Sequence, residues 1–328
     1  MLEWMKEKYY FGDDAFCAAA ESGSTEVLDW FFKNIKNVPT LILEGGGIRE
    51  AARSGKREAI EWLLNKGATM SDGVAYEAAK AGDLGLLKWA IEKGCNFYKP
   101  CLISEAAEAG QIEILQWCIN EGYTIETSSI CERVARSGSI SALAWAIDYG
   151  GIMDDHVCLT AMRMNHVALL KWIIDSGYSW NENLACEGCK IAVAKGYVEL
   201  LKYLLENGGS IDTTQICNEA ASAGQVKILE WAREMNFPWG KQTSMIAATK
   251  QSLSVIQFLR KNKCPWDVKA SVEIAKSQNE KIIAWAIKED VPKVKEFAAL
   301  YPIKKKSYKP AGKITSDSSF YKTLENVK

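Results

Sequence analysis

Ala51-Ala52-Arg53-Ser54-Gly55, followed by Trp62-Leu63-Leu64-Asn65-Lys66-Gly67-Ala68, is one statement of a phrase that runs through most of this chain. Its skeleton is Ala-Ala-x-x-Gly with an aromatic residue seven positions after the glycine. The same frame carries Gly23 to Trp30, Gly82 to Trp89, Gly110 to Trp117 and Gly138 to Trp145. It continues through Asn165 to Trp172, Gly196 to Tyr203, Gly224 to Trp231, Gln251 to Phe258 and Gln278 to Trp285. Successive aromatic positions lie 32, 27, 28, 28, 27, 31, 28, 27 and 27 residues apart, and eight of the twelve tryptophans occupy this one slot. A fixed period of this size marks an array of small supersecondary units rather than one folded core.

Each unit reads as two short helices. The first surrounds the Ala-Ala pair, whose small side chains admit a neighbouring backbone. In the second, apolar residues fall four, five, seven, eight and nine positions after the glycine, as in Ile114, Leu115, Trp117, Cys118 and Ile119. That spacing predicts a broad apolar face, with the aromatic inserted between units. The glycine predicts a left-handed residue that ends helix one and turns the chain into helix two. Asn165 suits the same geometry, whereas Gln251 and Gln278 suit it poorly, so the last two units should be looser or differently turned. A second glycine slot, Gly67, Gly94, Gly122, Gly150, Gly177 and Gly208 with Asn236 as substitute, should end helix two. An apolar position eight after the aromatic, including Met70, Phe97, Met153, Trp180 and Trp266, should tuck each loop under the next helix.

The frame predicts an all-α solenoid of about ten helix pairs and about twenty helices. At most brief extended segments are expected in the longer spacers after Trp30 and Trp172. Leu2-Glu3-Trp4 reads as the end of a partial N-terminal unit, and Lys293 breaks the apolar slot of the tenth unit. The expected organisation is therefore a repeat array over 1–290 and a basic, poorly ordered tail over 291–328. Trp89, Trp117 and Trp145 should each be buried between units, and Trp266 and Trp285 should matter less.

The phrases Ala51–Ala68 and Gly196–Gly208 resemble the ankyrin repeat, whose core reads A-A-x-x-G-x-x-x-[VI]-[VL]-x-x-L-L-x-x-G-A. The resemblance covers roughly residues 2–290 and departs in two ways. The T-P-L-H opening is missing, and the period is shorter than about 33. The missing residues fall where ankyrin units carry a β-hairpin finger. Such short, Trp-rich units are similar to the divergent ankyrin arrays of giant DNA viruses and some protists.

The chain of 328 residues balances 40 Lys+Arg against 41 Asp+Glu, and that argues against a general polyanion binder. No apolar run approaches the ~18 residues of a membrane span. The N-terminal Met1-Leu2-Glu3-Trp4 lacks a basic region followed by an apolar one, which disfavours a secretory signal. Cys186-Glu187-Gly188-Cys189 has a metal or redox spacing but no second pair nearby. Cys131, Cys158, Cys189 and Cys217 each lie seven before their glycine slot, and Cys95 and Cys264 share a loop slot, so most cysteines read as small core residues in a reducing, cytosol-like compartment. His166 directly follows the Asn165 slot and reads as structural, and His156 beside Asp154 and Asp155 is weak evidence for a catalyst. Gly45-Gly46-Gly47 lacks the Lys-Ser/Thr of a phosphate loop and reads as a turn. No catalytic, metal or cofactor site is assigned.

A non-enzymatic, monomeric protein-interaction scaffold is the expectation that follows. The ankyrin resemblance implies partner contacts from the first helices and inter-unit loops on the concave side. The residues at two and five before the glycine slot form the candidate contact ridge: Glu50, Arg53, Glu77, Lys80, Glu105, Glu108, Arg133, Arg136 and Arg163, with Glu21 preceding them. Two alternatives remain open. Residues 291–328 hold nine lysines and three acids, so the tail, with Lys304-Lys305-Lys306, could contact nucleic acid or direct the protein from the cytoplasm to the nucleus. Related viral ankyrin proteins also imply an adaptor to host ubiquitin machinery, although no F-box-like segment is found.

Overall fold

The computed structural model describes residues 13–35, 38, 42, 45, 47–179 and 181–301. Among them are 21 helices and no strand. Seven pairs precede residue 213: α1 and α2 (Asp13–Ser22, Thr25–Asn34), α3 and α4 (Ile48–Arg53, Arg57–Asn65), α5 and α6 (Asp72–Ala81, Leu84–Glu92), and α7 and α8 (Lys99–Glu108, Ile112–Asn120). The pairs α9 and α10 (Thr127–Ala135, Ile140–Asp148), α11 and α12 (Asp155–Arg163, Val167–Asp175), and α13 and α14 (Glu182–Lys195, Val198–Glu206) complete them. They belong to one compact unit, Met1–Asp212. The second unit, Thr213–Lys328, holds α15 and α16 (Thr213–Ala223, Val226–Glu234), α17 and α18 (Lys241–Thr249, Leu253–Lys261), α19 and α20 (Val268–Lys276, Glu280–Lys288), and α21 (Val294–Leu300). The partial unit expected around Trp4, the Trp180 slot and Lys304–Lys306 lie outside the described residues.

Odd-numbered helices are the first members of each pair, and within each unit they pack on one another. The Ala-Ala pair explains this: Ala51, Ala52, Ala78, Ala79, Ala106 and Ala107 are all fully buried, and no longer side chain holds the backbones apart. In the second helices the residues four, five and eight after the glycine slot form the core stripe, as in Ala59, Ile60 and Leu63 or Leu200, Leu201 and Leu204. The tryptophan at position seven stands roughly 100° from the centre of that stripe. Trp89, Trp117 and Trp231 are buried, but Trp145 is only half-buried, as are Trp30, Trp62, Trp172 and Trp285, contrary to the expectation for Trp145. The branched aliphatics, not the tryptophans, form the continuous core.

The turn between paired helices is one device throughout. Gly82 has φ +76°; its N–H bonds the Ala79 carbonyl at 3.2 Å, and Asp83 N–H bonds the Ala78 carbonyl at 2.9 Å. These two bonds satisfy carbonyls that the helix end would otherwise leave open. Asn165, Gln251 and Gln278 adopt the same sign, at φ +61°, +55° and +57°. Gln251 and Ser252 repeat the bonds to Ala248 and Ala247, so the expectation of a differently turned ninth unit does not hold. Packing of the pair overrides the local preference of glutamine.

Two further departures concern length. The 31-residue step from Trp172 to Tyr203 is absorbed by a longer first helix, α13 with 14 residues, rather than by an extended segment. Beyond the expected array boundary at 290, α21 packs on α19, a first helix lying on a first helix. Val291 and Val294 are buried there.

Candidate functional site

Because one first helix follows another, residues at a fixed offset from the glycine slot form a row, and eight of the nine ridge residues stand at least partly exposed on it. Arg53, Lys80, Arg136 and Arg163 are exposed; Glu50, Glu105, Glu108 and Arg133 are partly so. Glu77 is the exception, only 7% exposed, with its Oε1 accepting from Arg49 Nε at 2.8 Å. That contact holds the Arg49 guanidinium above its ordinary value. Five before the glycine, Glu77 lies on the inner edge of its helix, so the offset that places Glu50 and Glu105 at the rim places this carboxylate inside.

The ridge is largely paired along the row. Arg53 Nη2 lies 3.0 Å from Glu21 Oε1 in the preceding pair. Arg133 and Arg136 both approach Glu108 Oε1 at 3.8 Å, and Arg163 approaches Glu187 of the following pair at 3.8 Å. Glu50, Lys80 and Glu105 make no ion pair among the described residues. Arg133 also donates to Ser104 Oγ at 2.8 Å across the mouth of a cleft of about 170 Å³ between α7 and α9, floored by Ile103, Ile125 and Ile130. Arg49 and Glu187 lay outside the offsets read from sequence; a search for opposite charges one period away finds Arg49, 28 residues before Glu77, but not Glu187, which follows Arg163 by 24.

The loops between paired helices supply a second linkage. The residue after the glycine slot leads into helix two, and at several junctions its side chain takes one of two roles. Asp83 Oδ1 accepts from Leu86 N–H at 2.8 Å, capping its own helix. Gln111 Nε2 instead donates to the Lys80 carbonyl at 3.0 Å, and His166 Nε2 donates to the Arg136 carbonyl at 2.9 Å. A methyl group at Gly82 would meet Gln111 Oε1 at 2.5 Å, and one at Gly138 would meet His166 Nδ1 at 2.5 Å. The glycine therefore serves close approach as well as backbone conformation. His166 is structural, as its place beside Asn165 suggested.

Two antiparallel helices per 27–28 residues, a small-residue first helix, left-handed turns at both ends and stacking of like helix on like helix are now all in place. In these respects the helix pairs are similar to ankyrin units. No family model matches the chain, and no curated protein sequence matches it. Among solved structures, the human ASB11 ankyrin repeat domain aligns with 60% of this chain and 98% of its own, at 18% identity and a TM-score of 0.38.

Within these ankyrin-like units the cysteines line the core. Cys131, Cys158, Cys189 and Cys217 are buried on first helices, and Cys95 and Cys264 are buried in loops. Burial pushes the Cys131 and Cys189 thiols up to about 11 and the Cys158 thiol up to about 12. Cys186, about one turn before Cys189, is half-buried and lies 3.4 Å from Ser210 Oγ. No group of three His, Cys, Asp or Glu suited to a metal occurs among the described residues. His156 is exposed and enters the structure chiefly through its backbone N–H, which the Asp154 carboxylate caps at 3.0 Å. No helix among the described residues is long and apolar enough to cross a membrane.

Proposed function

We propose that the chain is a non-enzymatic protein-interaction scaffold whose partner lies along the first-helix row, the face that is concave in ankyrin arrays. The observation that carries this reading is the row itself: Arg53, Lys80, Arg136 and Arg163 hold one offset on four of five consecutive first helices, with Glu108 on the helix between Lys80 and Arg136, and all four cations stay exposed. Their pairs with Glu21, Glu108 and Glu187 are exposed contacts of the kind worth ~0–1 kcal/mol. A partner offering its own carboxylates can exchange for them at little penalty. The partner so favoured is a protein surface carrying acids at the repeat spacing. Capture of binding proteins on the full chain, compared with a variant in which these four cations are reversed to glutamate, tests the reading. Proteins retained by the native chain and released by the reversal support it; a capture profile unchanged by the reversal refutes it.

A further inference from the structure

At two junctions the residue just before the aromatic slot meets the aromatic of the next pair. Trp62 Nε1–H donates to Asp29 Oδ1 at 2.9 Å. Lys171 Nζ lies 5.3 Å from the centroid of Tyr203. Glu61, Lys88 and Gln116 hold the same position at the intervening junctions, and every one of these side chains is long or polar. Ala144 is the exception among the junctions up to Tyr203, and Ala284 before Trp285 is the other alanine at this offset. Opposite it, between α10 and α12, opens a groove of about 430 Å³ lined by Ala144, Ile147, Asp148, Met153, Trp172 and Tyr178, among others.

The chemistry of this groove is specific in charge. Asp148 is exposed and is its one charged lining residue, and Asp175 is exposed at the end of the same helix as Trp172. The Tyr178 hydroxyl donates to Asp155 Oδ1 at 2.8 Å, which keeps further negative charge beside the site. An equivalent groove in the second unit, of about 410 Å³ beneath Gln257 and beside Trp285, carries Arg260 and Lys261 where the first carries Ile147 and Asp148. The same fold position therefore carries a lone acid in the first unit and two cations beside Glu289 in the second, and this difference in charge distinguishes what each accepts.

We propose that the Ala144 groove receives a lysine side chain from a basic partner peptide. The partner's methylene stem lies on Trp172, Ile147 and Met153, and its ammonium group pairs with Asp148. The chain contains its own version of this contact one junction along, where Lys171 covers Tyr203, so the partner lysine supplies the side chain that Ala144 lacks. This surface lies on the second helices and is separate from the first-helix row, so it stands or falls independently of the scaffold reading.

The test uses the full chain and three fluorescein-labelled peptides alternating glycine with lysine, glutamine or glutamate, followed by anisotropy at low salt. The lysine peptide should bind at least about tenfold tighter than the other two. Ala144→Met and Ala144→Lys extend long side chains into the groove, and each should weaken lysine-peptide binding by about tenfold or more, as should Asp148→Asn. Circular dichroism and urea midpoints confirm that these variants fold. Glu113→Gln removes an exposed acid on α8 and should leave binding unchanged, as should reversal of the four ridge cations. Equal binding of the lysine and glutamine peptides overturns the proposal. So does native-like binding by both Ala144 variants, or a loss in Glu113→Gln as large as that in Asp148→Asn.

Discussion

Replacing Gly82 by alanine separates the two roles of the turn glycine. At φ +76° an L-residue pays the left-handed penalty of about 1–2 kcal/mol, partly offset by the lower entropy of an unfolded chain carrying alanine, about 0.4–1 kcal/mol. That leaves about 1 kcal/mol from conformation alone. The new methyl group also meets the Gln111 amide at 2.5 Å and displaces it from the Lys80 carbonyl, a bond worth about 0.5–1.5 kcal/mol. Gly82→Ala should therefore destabilise by about 2 kcal/mol. Gly55→Ala, where φ is +66° but the nearest atom is Asp83 Oδ2 at 3.6 Å, should cost about half as much. The decisive assay is a double-mutant cycle in urea with Gln111→Ala. In that background the Gly82 substitution should fall to the Gly55 value, a coupling of about 1 kcal/mol. Slopes of the transitions must be compared alongside midpoints, because an array can unravel from one end. A coupling near zero would refute the close-approach role and leave conformation as the whole explanation.

Other expectations follow from burial and charge. Trp117→Ala, at a side chain 9% exposed, should cost roughly 3–5 kcal/mol, and Trp285→Ala, at a half-buried one, about half as much; reversal of that order in urea midpoints contradicts the core assignment. Arg49→Ala strands the buried Glu77 carboxylate and should cost about 1–3 kcal/mol, while Glu77→Gln, which keeps an acceptor, should cost less. In the native protein iodoacetamide should modify Cys101 first and Cys186 and Cys17 more slowly, leaving Cys158 and Cys189 intact by mass spectrometry. Buried thiols such as Cys118, raised to about 11, and Cys158 and Cys264, raised to about 12, also set an alkaline limit. Their ordinary value is 9.0, so the unfolded chain loses these protons first. The stability they add is complete below about pH 9 and declines as pH rises through 11 to 12. Urea midpoints under reductant should fall over that range, less steeply in Cys158→Ala.

The helix pairs were legible because their determinants are local and recur. A small pair, a left-handed turn residue and an apolar stripe repeat at one offset, and ten statements of the frame outweigh substitutions at any single slot. Gln251 shows the limit of residue preference: its φ of +55° is set by the pair packed around it. Trp145 shows the limit of periodicity, since position seven lies at the edge of the apolar stripe and is buried at Trp89, Trp117 and Trp231 but only half-buried at Trp145. The ridge was legible as a row but not as a set of partners. Arg163 pairs forward with Glu187, whereas Arg53 pairs back to Glu21, and offsets within one unit do not encode that choice. The groove at Ala144 escaped the reading because it lies between second helices and is lined by residues at several offsets from two pairs and their loops, which no single slot encodes.

The bonds from Gln111 to the Lys80 carbonyl and from His166 to the Arg136 carbonyl give the array a direction. In each case the end of a first helix is closed by a side chain that lies 31 or 30 residues further along. During synthesis, then, a freshly made pair leaves the ribosome with this carbonyl still facing water. It is sealed only when the next pair has emerged and docked. Growth from the N-terminus therefore tightens what has already been made, whereas a chain stopped between Lys80 and Gln111 ends on an unsealed turn.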